Sequence, residues 1–446
     1  AQLISIHAPT RGATIYRGAP YWVDLENRIK TINFAKSVCS ETARLVTLGI
    51  KIQIDGGARG TWLQEQIDNA YFNLRHWVEY GCAYGTVIIK PNGGGLDMFT
   101  PMDFIVTEQD DNGNITGIVF KDGYTDNDKH YTRLEYHRFI ETRTESGVIY
   151  PYVISNRAYV SRSSESLGDP IPLAQTKWAD LLDETPPILK GGNERLDSPM
   201  YGVFRTPSAN NIDLSSLGMP IYAEAIEEMK DLDIAYSRNA GEIYDSEKII
   251  LADDRLMFDS GKNLNGRVAD VKLPHYVKNV FGNSPEEFYQ EITPQLNTDT
   301  RLSGINALLS QIGYKCGFSN GYFVFNESSG IQTATGVEAE QQRTVQFIKD
   351  VRDKLESCLN DAIYALNVYA DLYSLAPVGT YEVVYDFGDI LYSHEADKQQ
   401  WYAYAVQNRI PFWYYLMKFE GFTEEEARAL VEEAQPKEEP GFFQEE

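Results

Sequence analysis

The stretch "SGIQTATGVEAEQQRTVQFIKD", residues 329–350, opens on Gly and small hydroxyl residues and then turns abruptly into charge and helix formers. Beyond it, Ile348, Val351, Leu355, Cys358, Leu359, Ala362, Ile363, Leu366, Tyr369 and Leu372 recur at three- and four-residue spacing. That period predicts one apolar face along a single helix. Some 40 residues at about 1.5 Å each make a rod of roughly 60 Å. Gly317, Gly321 and Gly330, with Ser319, Asn320, Asn326, Ser328 and Ser329, make the chain before the rod permissive and polar. Thr333 or Thr335 is placed to cap the rod, and Glu338 would complete a capping box with Thr335.

Two helices are expected upstream. Residues 220–246 begin with Pro220, a favoured first helical position, and carry Tyr222, Ala225, Ile226, Met229, Leu232, Tyr236, Ala240 and Ile243 at helical spacing. Residues 298–316 follow the same period. The insert between them, 247–297, reads as a strand "KIILA" (248–252), a turn "DSGKN" (259–263) and a short helix "SPEEFYQEI" (284–292).

The first half has another texture. Helical patterns cover 24–48 and 61–80, after which the period changes to a strand "GTVIIK" (85–90) and a turn "PNGGG" (91–95). "FIVTEQDDNGNITGIVFKDG" (104–123) is a β-hairpin, and short strands continue over 130–142 and 147–161. Residues 160–215 are Ser-, Pro- and Gly-rich and read as irregular loops. Residues 378–392 read as strand and loop, and 394–434 as helices before an acidic end. The fold class is α+β.

The chain has 446 residues, 43% apolar and 24% charged, a composition of folded protein. No apolar run reaches the length of a membrane span and no signal-peptide pattern opens the chain, so cytoplasm or virion is the expected location. Residues 4–14, "ISIHAPTRGAT", lack periodicity and resemble the in-frame translation of a bacterial direct-repeat element; residues 1–14 are left out of the fold argument. Cys39, Cys82, Cys316 and Cys358 are scattered without a CxxC, which predicts buried free thiols and neither a zinc site nor a disulfide framework. The net charge is −25, which argues against tight binding of nucleic acid.

Chemical motifs are sparse. No phosphate-binding GxxxxGK[ST] is present, since Gly261-Lys262 lacks its companions, and neither GxSxG nor HExxH occurs. Glu108, Asp110, Asn112 and Gly113 imitate the start of a calcium loop, but Val119 stands where a bidentate Glu is needed, so a hairpin turn is expected. His130 and His137 share a strand region without a nearby Cys, and His76 with Glu79 reads as an interfacial His. The pairs Glu227-Glu228, Asp253-Asp254 and Glu286-Glu287 are adjacent, and adjacent helical residues do not converge. No catalytic residue, metal site or cofactor is expected.

Four stretches taken together carry a resemblance. They are "NRIKTINFAKSVCSETARLV", "EYGCAYGTVIIK" leading to "TPMDFIVTEQDDNGNITGIVF", "AEAIEEMKDLDIAYSRNAGEIYDSEKIIL", and "LLSQIGYKCGFSNGYFVFNESSGIQTATGVEAEQQRTVQFIKD". In order and spacing, from about residue 15 to 435, they resemble the portal proteins of tailed bacteriophages, of the type found in long-tailed phages and prophages of Gram-positive bacteria. "SGIQTATGVEAE" is the most specific piece, resembling a Thr-Ala-Thr-x-Val junction.

The resemblance implies a self-assembled ring of about twelve subunits at one capsid vertex, a conduit for double-stranded DNA packaging and ejection. It implies a non-portal-like segment 1–14, an α+β wing 15–219, stem helices 220–246 and 298–316 around a small α/β clip 247–297, and a channel loop 317–333. A long helix with wing return 334–392, a helical crown 393–435 and an acidic tail 436–446 complete the subunit. More portal-like sequence is expected before residue 15. Asn326, Glu327, Ser328, Ser329, Gly330 and Gln332 would line the channel, touching DNA transiently and without sequence preference. "YFVF" (322–325) would pack the loop base against neighbouring subunits. Asp253, Asp254, Arg255, Lys262, Arg267 and Lys272 would present the clip to the terminase packaging motor and later to the head-to-tail connector. Major capsid and scaffolding proteins are further implied partners, with host cytoplasm the location during assembly. An acidic channel wall repels phosphates and so does not trap DNA. ATP hydrolysis would belong to the separate motor. Another phage head structural protein, such as a head-completion or minor capsid component, and a hydrolase with an unrecognised carboxylate site stay open as other readings.

Overall fold

The computed structural model describes residues 13–24, 26, 29–92, 95–145, 147–191, 193–245, 249–252, 277–279, 289–292, 297–325, 334–388, 401–402, 404–406, 409–419 and 423–433. The chain is mixed α and β and divides into two units, one of residues 1–328 and 341–387, the other of 329–340 and 388–446.

Helix α1 (Phe34–Val46) buries Ala35, Val38, Cys39, Ala43 and Val46. It starts ten residues later than its periodicity suggests. The Ile32 amide donates to Asp233 Oδ1 at 3.0 Å, Trp22 Nε1 donates to Asp233 Oδ2 at 2.8 Å, and Asn33 takes φ 52, outside the helical region. Strand β1 (Lys51–Asp55) leads into helix α2 (Gly57–Tyr84), which outruns the expected 61–80 at both ends. It stops at Gly85, φ +82, where a side chain would collide with the Gly218 carbonyl.

Strands β2 (Thr86–Pro91) and β3 (Leu96–Phe99) come next. They are followed by β4 (Phe104–Gln109), β5 (Ile115–Asp126), β6 (Lys129–Phe139), the short pair β7 (Thr142–Thr144) and β8 (Gly147–Ile149), β9 (Tyr152–Ser161) and β10 (Asp169–Ile171). The region expected to be wholly irregular thus holds β10, and also β11 (Gly202–Arg205). β2 sits between β11 and β3, which is why "TVII" is buried throughout instead of alternating. The larger sheet runs β10-β9-β6-β5-β4, each neighbour antiparallel. Ile88, Phe104, Ile115, Ile118, Phe120 and Tyr201 fill the space between the two sheets.

Helix α3 (Ile226–Asp245) begins after a 3-10 turn at Ala223–Ala225, so Pro220 lies ahead of the helix and not at its first position. Strands β12 (Ile249–Ala252), β13 (Val277–Asn279) and β14 (Tyr289–Ile292) form one sheet, in the order β13-β12-β14. The helix expected over 284–292 is therefore wrong where it is described, because 289–292 pairs antiparallel with β12. Short segments take the structure their partners impose. Helix α4 (Thr298–Lys315) follows, then α5 (Ala334–Tyr373), whose 40 residues match the rod read from the sequence. Strand β15 (Glu382–Asp386) returns to pair with β1.

Between its residue 341 and its end, α5 is a keel for the first unit. Ile348, Val351, Leu355, Cys358, Leu359, Ala362, Ile363 and Leu366 are all buried. Gly202 lets β11 approach so closely that any side chain there would collide with the Cys358 carbonyl. Arg352 donates to the carbonyls of Val46 and Leu45 at 3.1 and 2.9 Å, satisfying orphan acceptors at the end of α1. Buried Arg59 of α2 reaches Asp371, the Asn367 carbonyl and the Pro377 carbonyl. All four cysteines are buried and free. The second unit holds helices α6 (Phe412–Phe419) and α7 (Glu424–Glu433), with Ala405 and Tyr415 buried beside Trp401, Ile410 and Leu416. No helix among the described residues is long and apolar enough to cross a membrane.

One face of β6 carries a buried ionic cluster. Glu135 accepts from Lys90 Nζ at 2.9 and 3.0 Å and from His137 Nε2 at 2.8 Å, and pairs with Arg133 at 3.0 Å. Burial opposes ionisation of Glu135, but Lys90, His137 and Arg133 outweigh it and hold the carboxyl well below its ordinary value. Burial lowers His137 below its ordinary 6.5, against the pull of Glu135. Below that pH the unfolded chain binds a proton that the folded chain refuses, so stability falls as pH falls. Urea unfolding between pH 7 and 5 is expected to weaken with acid by up to about 1.4 kcal/mol per pH unit from this group. His137→Gln should flatten that slope; an unchanged slope contradicts the assignment.

Candidate functional site

The residues expected to meet DNA, Asn326, Glu327, Ser328, Ser329, Gly330 and Gln332, lie outside the described residues, as does Thr333. So do Asp253, Asp254, Arg255, Lys262, Arg267 and Lys272, the "DSGKN" turn, the pair Glu286-Glu287, residues 1–12 and the acidic tail 436–446. What is described is the frame from which these segments depart.

The frame is the pair α3 and α4. Glu228, near the start of α3, binds Lys315 at the end of α4 at 2.5 Å, and Gln311 donates to the same carboxylate at 3.2 Å. Glu242, near the end of α3, pairs with Arg301 near the start of α4. These pairings make the helices antiparallel, so the insert 246–296 leaves and re-enters at one end. Lys315, chiefly through its hydrogen bond, lowers the Glu228 carboxyl below its ordinary value. Glu227 points elsewhere, well exposed, with Lys230 4.0 Å away. The two adjacent carboxylates do not converge. α3 carries six acidic side chains against two basic ones.

At the other end of α4 the chain turns at Gly317, φ +93, and Gly321, φ +80. The described part of the expected channel loop 317–333, residues 317–325, is bonded to other segments of its own chain. The Ser319 amide donates to Thr344 Oγ1 at 2.8 Å, and the Thr344 amide to Ser319 Oγ at 3.3 Å. Asn306 and Phe325 exchange two bonds, side chain to carbonyl at 2.9 Å and amide to side chain at 3.0 Å. Phe318 is fully buried, and Phe323 packs edge-on against both Phe318 and Phe34. Tyr322 donates to Glu41 at 2.5 Å. Tyr322 and Phe323 of "YFVF" therefore make contacts within their own chain. Phe325 alone of the aromatics in that stretch is largely exposed. Thr335 lies inside α5, which leaves Thr333 as the residue before the helix.

The remaining candidates separate. Asp110 accepts from the amides of Asn112 and Asn114 at 2.9 and 2.8 Å, a hairpin turn with Gly113 at φ +78. His130 meets Thr125 at 3.0 Å, while His137 is buried seven residues away on the opposite strand face. His76 is exposed, not interfacial, and Glu79 instead accepts from Tyr16 at 2.6 Å. No group of three or more His, Cys, Asp or Glu among the described residues could hold a metal ion. The Lys90–Glu135–Arg133–His137 cluster was missed from sequence, although Arg133, Glu135 and His137 alternate along one strand. No protein-family model matches the chain, and no curated protein matches it.

Thr344→Val should strand the buried Ser319 amide and cost about 1–3 kcal/mol. Asn306→Ala, at a partly exposed clamp, should cost less than that. Urea unfolding checks both, and equal costs would contradict the stapled loop base.

Proposed function

We propose that this chain is a portal subunit of a tailed bacteriophage, a structural conduit for double-stranded DNA and not an enzyme. The observation that carries the reading is the antiparallel α3–α4 pair, with an insert at one end and, at the other, a short segment leading into a 40-residue helix. A helical stem with a clip at its far end, a channel loop and a long wing helix needs that order. Only eight residues, 326–333, separate the stapled Phe325 from α5, and these are the proposed channel loop. The wing would be the two sheets with α1 and α2, and the crown would include α6 and α7.

The surface is compatible with a subunit that has neighbours. Tyr236, Ile243 and Tyr314 on the stem pair are 46%, 55% and 53% exposed, and would be available to a neighbouring copy. The acidic excess on α3 suits a wall past which phosphates slide. The clip would meet the terminase motor during filling and the head-to-tail connector afterwards. A head-completion or minor capsid protein would share the exposed apolar residues but has no need of a stem with a loop at its base.

In a packaging assay with the cognate motor, Ser329→Pro should impair DNA uptake while leaving ring assembly and thermal stability nearly unchanged. Deleting Asp259–Gly266 should leave rings and abolish motor coupling. Normal uptake by the first variant contradicts the channel loop, and loss of rings with motor binding retained contradicts the clip.

A further inference from the structure

A cavity of about 370 Å³ lies within the first unit where four distant segments meet: the β4–β5 turn, the loop of residues 190–200, β11 and α5. This is within the size range of small-ligand pockets. Arg205, Arg195 and Lys354 line it, and so do Asp110, Asp197 and Asp361.

The six charges are not equivalent. Each carboxylate already has partners. Asp110 takes three hydrogen bonds within its turn, from the amides of Asn112 and Asn114 and from Asn114 Nδ2. Asp197 pairs with Lys190 at 2.6 Å. Asp361 accepts from Ser198 Oγ at 2.8 Å, and burial pushes its carboxyl above the ordinary value. The cations are held less closely: Asp110 acts on Arg195 and Arg205 only through space. Among the described residues, no ion pair joins Arg205, Arg195 or Lys354 to any carboxylate. Arg195 lies over the Phe139 ring at 4.1 Å, and the Arg205 guanidinium donates only to the neutral Gly113 carbonyl, at 3.0 Å. Its Nε is buried with no acceptor among the described residues. Arg195 and Lys354 are exposed and Arg205 is half-buried, so an anion entering the cavity would meet three cations that no contact ion pair holds among the described residues.

We infer that this cavity binds a small ligand through a phosphate group. A planar carboxylate can be satisfied by a single guanidinium fork. Here the cations arrive from three separate elements, β11, the 190–200 loop and α5, which suits a tetrahedral oxyanion with oxygens facing several directions. Ser357 supplies a neutral donor at the same wall. The assignment does not depend on ring formation.

Isothermal titration calorimetry of the full chain tests it, with inorganic phosphate, adenosine monophosphate and acetate as probes. Phosphate, the nucleotide or both should bind in the millimolar range or tighter, and acetate should not. Arg205→Met should weaken binding by about tenfold or more. The exposed pair Arg195→Gln/Lys354→Gln should do the same with an unchanged unfolding midpoint. Binding of the nucleotide alone supports a ligand with an organic body, and equal binding of both supports a site for phosphate itself. Absence of binding by both phosphate probes, equal binding of acetate, or full affinity in the double variant would overturn the inference.

Discussion

Arg352 on the long helix donates to the last carbonyls of α1, and this contact fixes how the first unit is assembled. A helix end buried without partners is costly. Here the donors are supplied by a side chain some 300 residues later in sequence, itself only 6% exposed. Truncating Arg352 would leave those carbonyls orphaned in the core. The same helix accepts β11 at Gly202 and Arg59 through Asp371, so the two sheets, α1 and α2 are all referred to one rod.

The stapled segment 317–325 extends that logic to the site. Thr344 is one helical turn from Ile348 on the buried side of α5, and its bonds to Ser319 connect the end of α4 to the keel. The α3–α4 pair is tied in independently, since Asp233 of α3 holds Trp22 and the Ile32 amide. Whatever residues 326–333 do, their upstream anchor is a fixed point held by side chains of two helices.

The long helix and the α3–α4 pair were legible because a 3.6-residue period sustained over 18 to 40 residues has few competing explanations. The β4–β5 hairpin was legible from its Asp-Asn-Gly-Asn turn. Misreadings arose where a distant residue decides. Ile29 and Ile32 fit a helical period, yet Asp233, 201 residues beyond Ile32, takes its amide away. "YQEI" contains good helix formers and still pairs with Ile249–Ala252. The four residues of β11 gave too short a pattern against a Pro- and Ser-rich background. Arg133, Glu135 and His137 alternate along one strand, but nothing local says that Lys90 completes their charge balance. The cavity is built from four segments with no fixed spacing, so no motif could announce it.

The central claim is that the chain closes into a ring around an axial channel, and electron microscopy of the purified full-length protein tests it most directly. The account predicts closed particles of about twelve copies with a central hole, and the α3–α4 pair lining its wall. A population of monomers or open oligomers at high protein concentration, or rings with α3 and α4 facing outward, would contradict it.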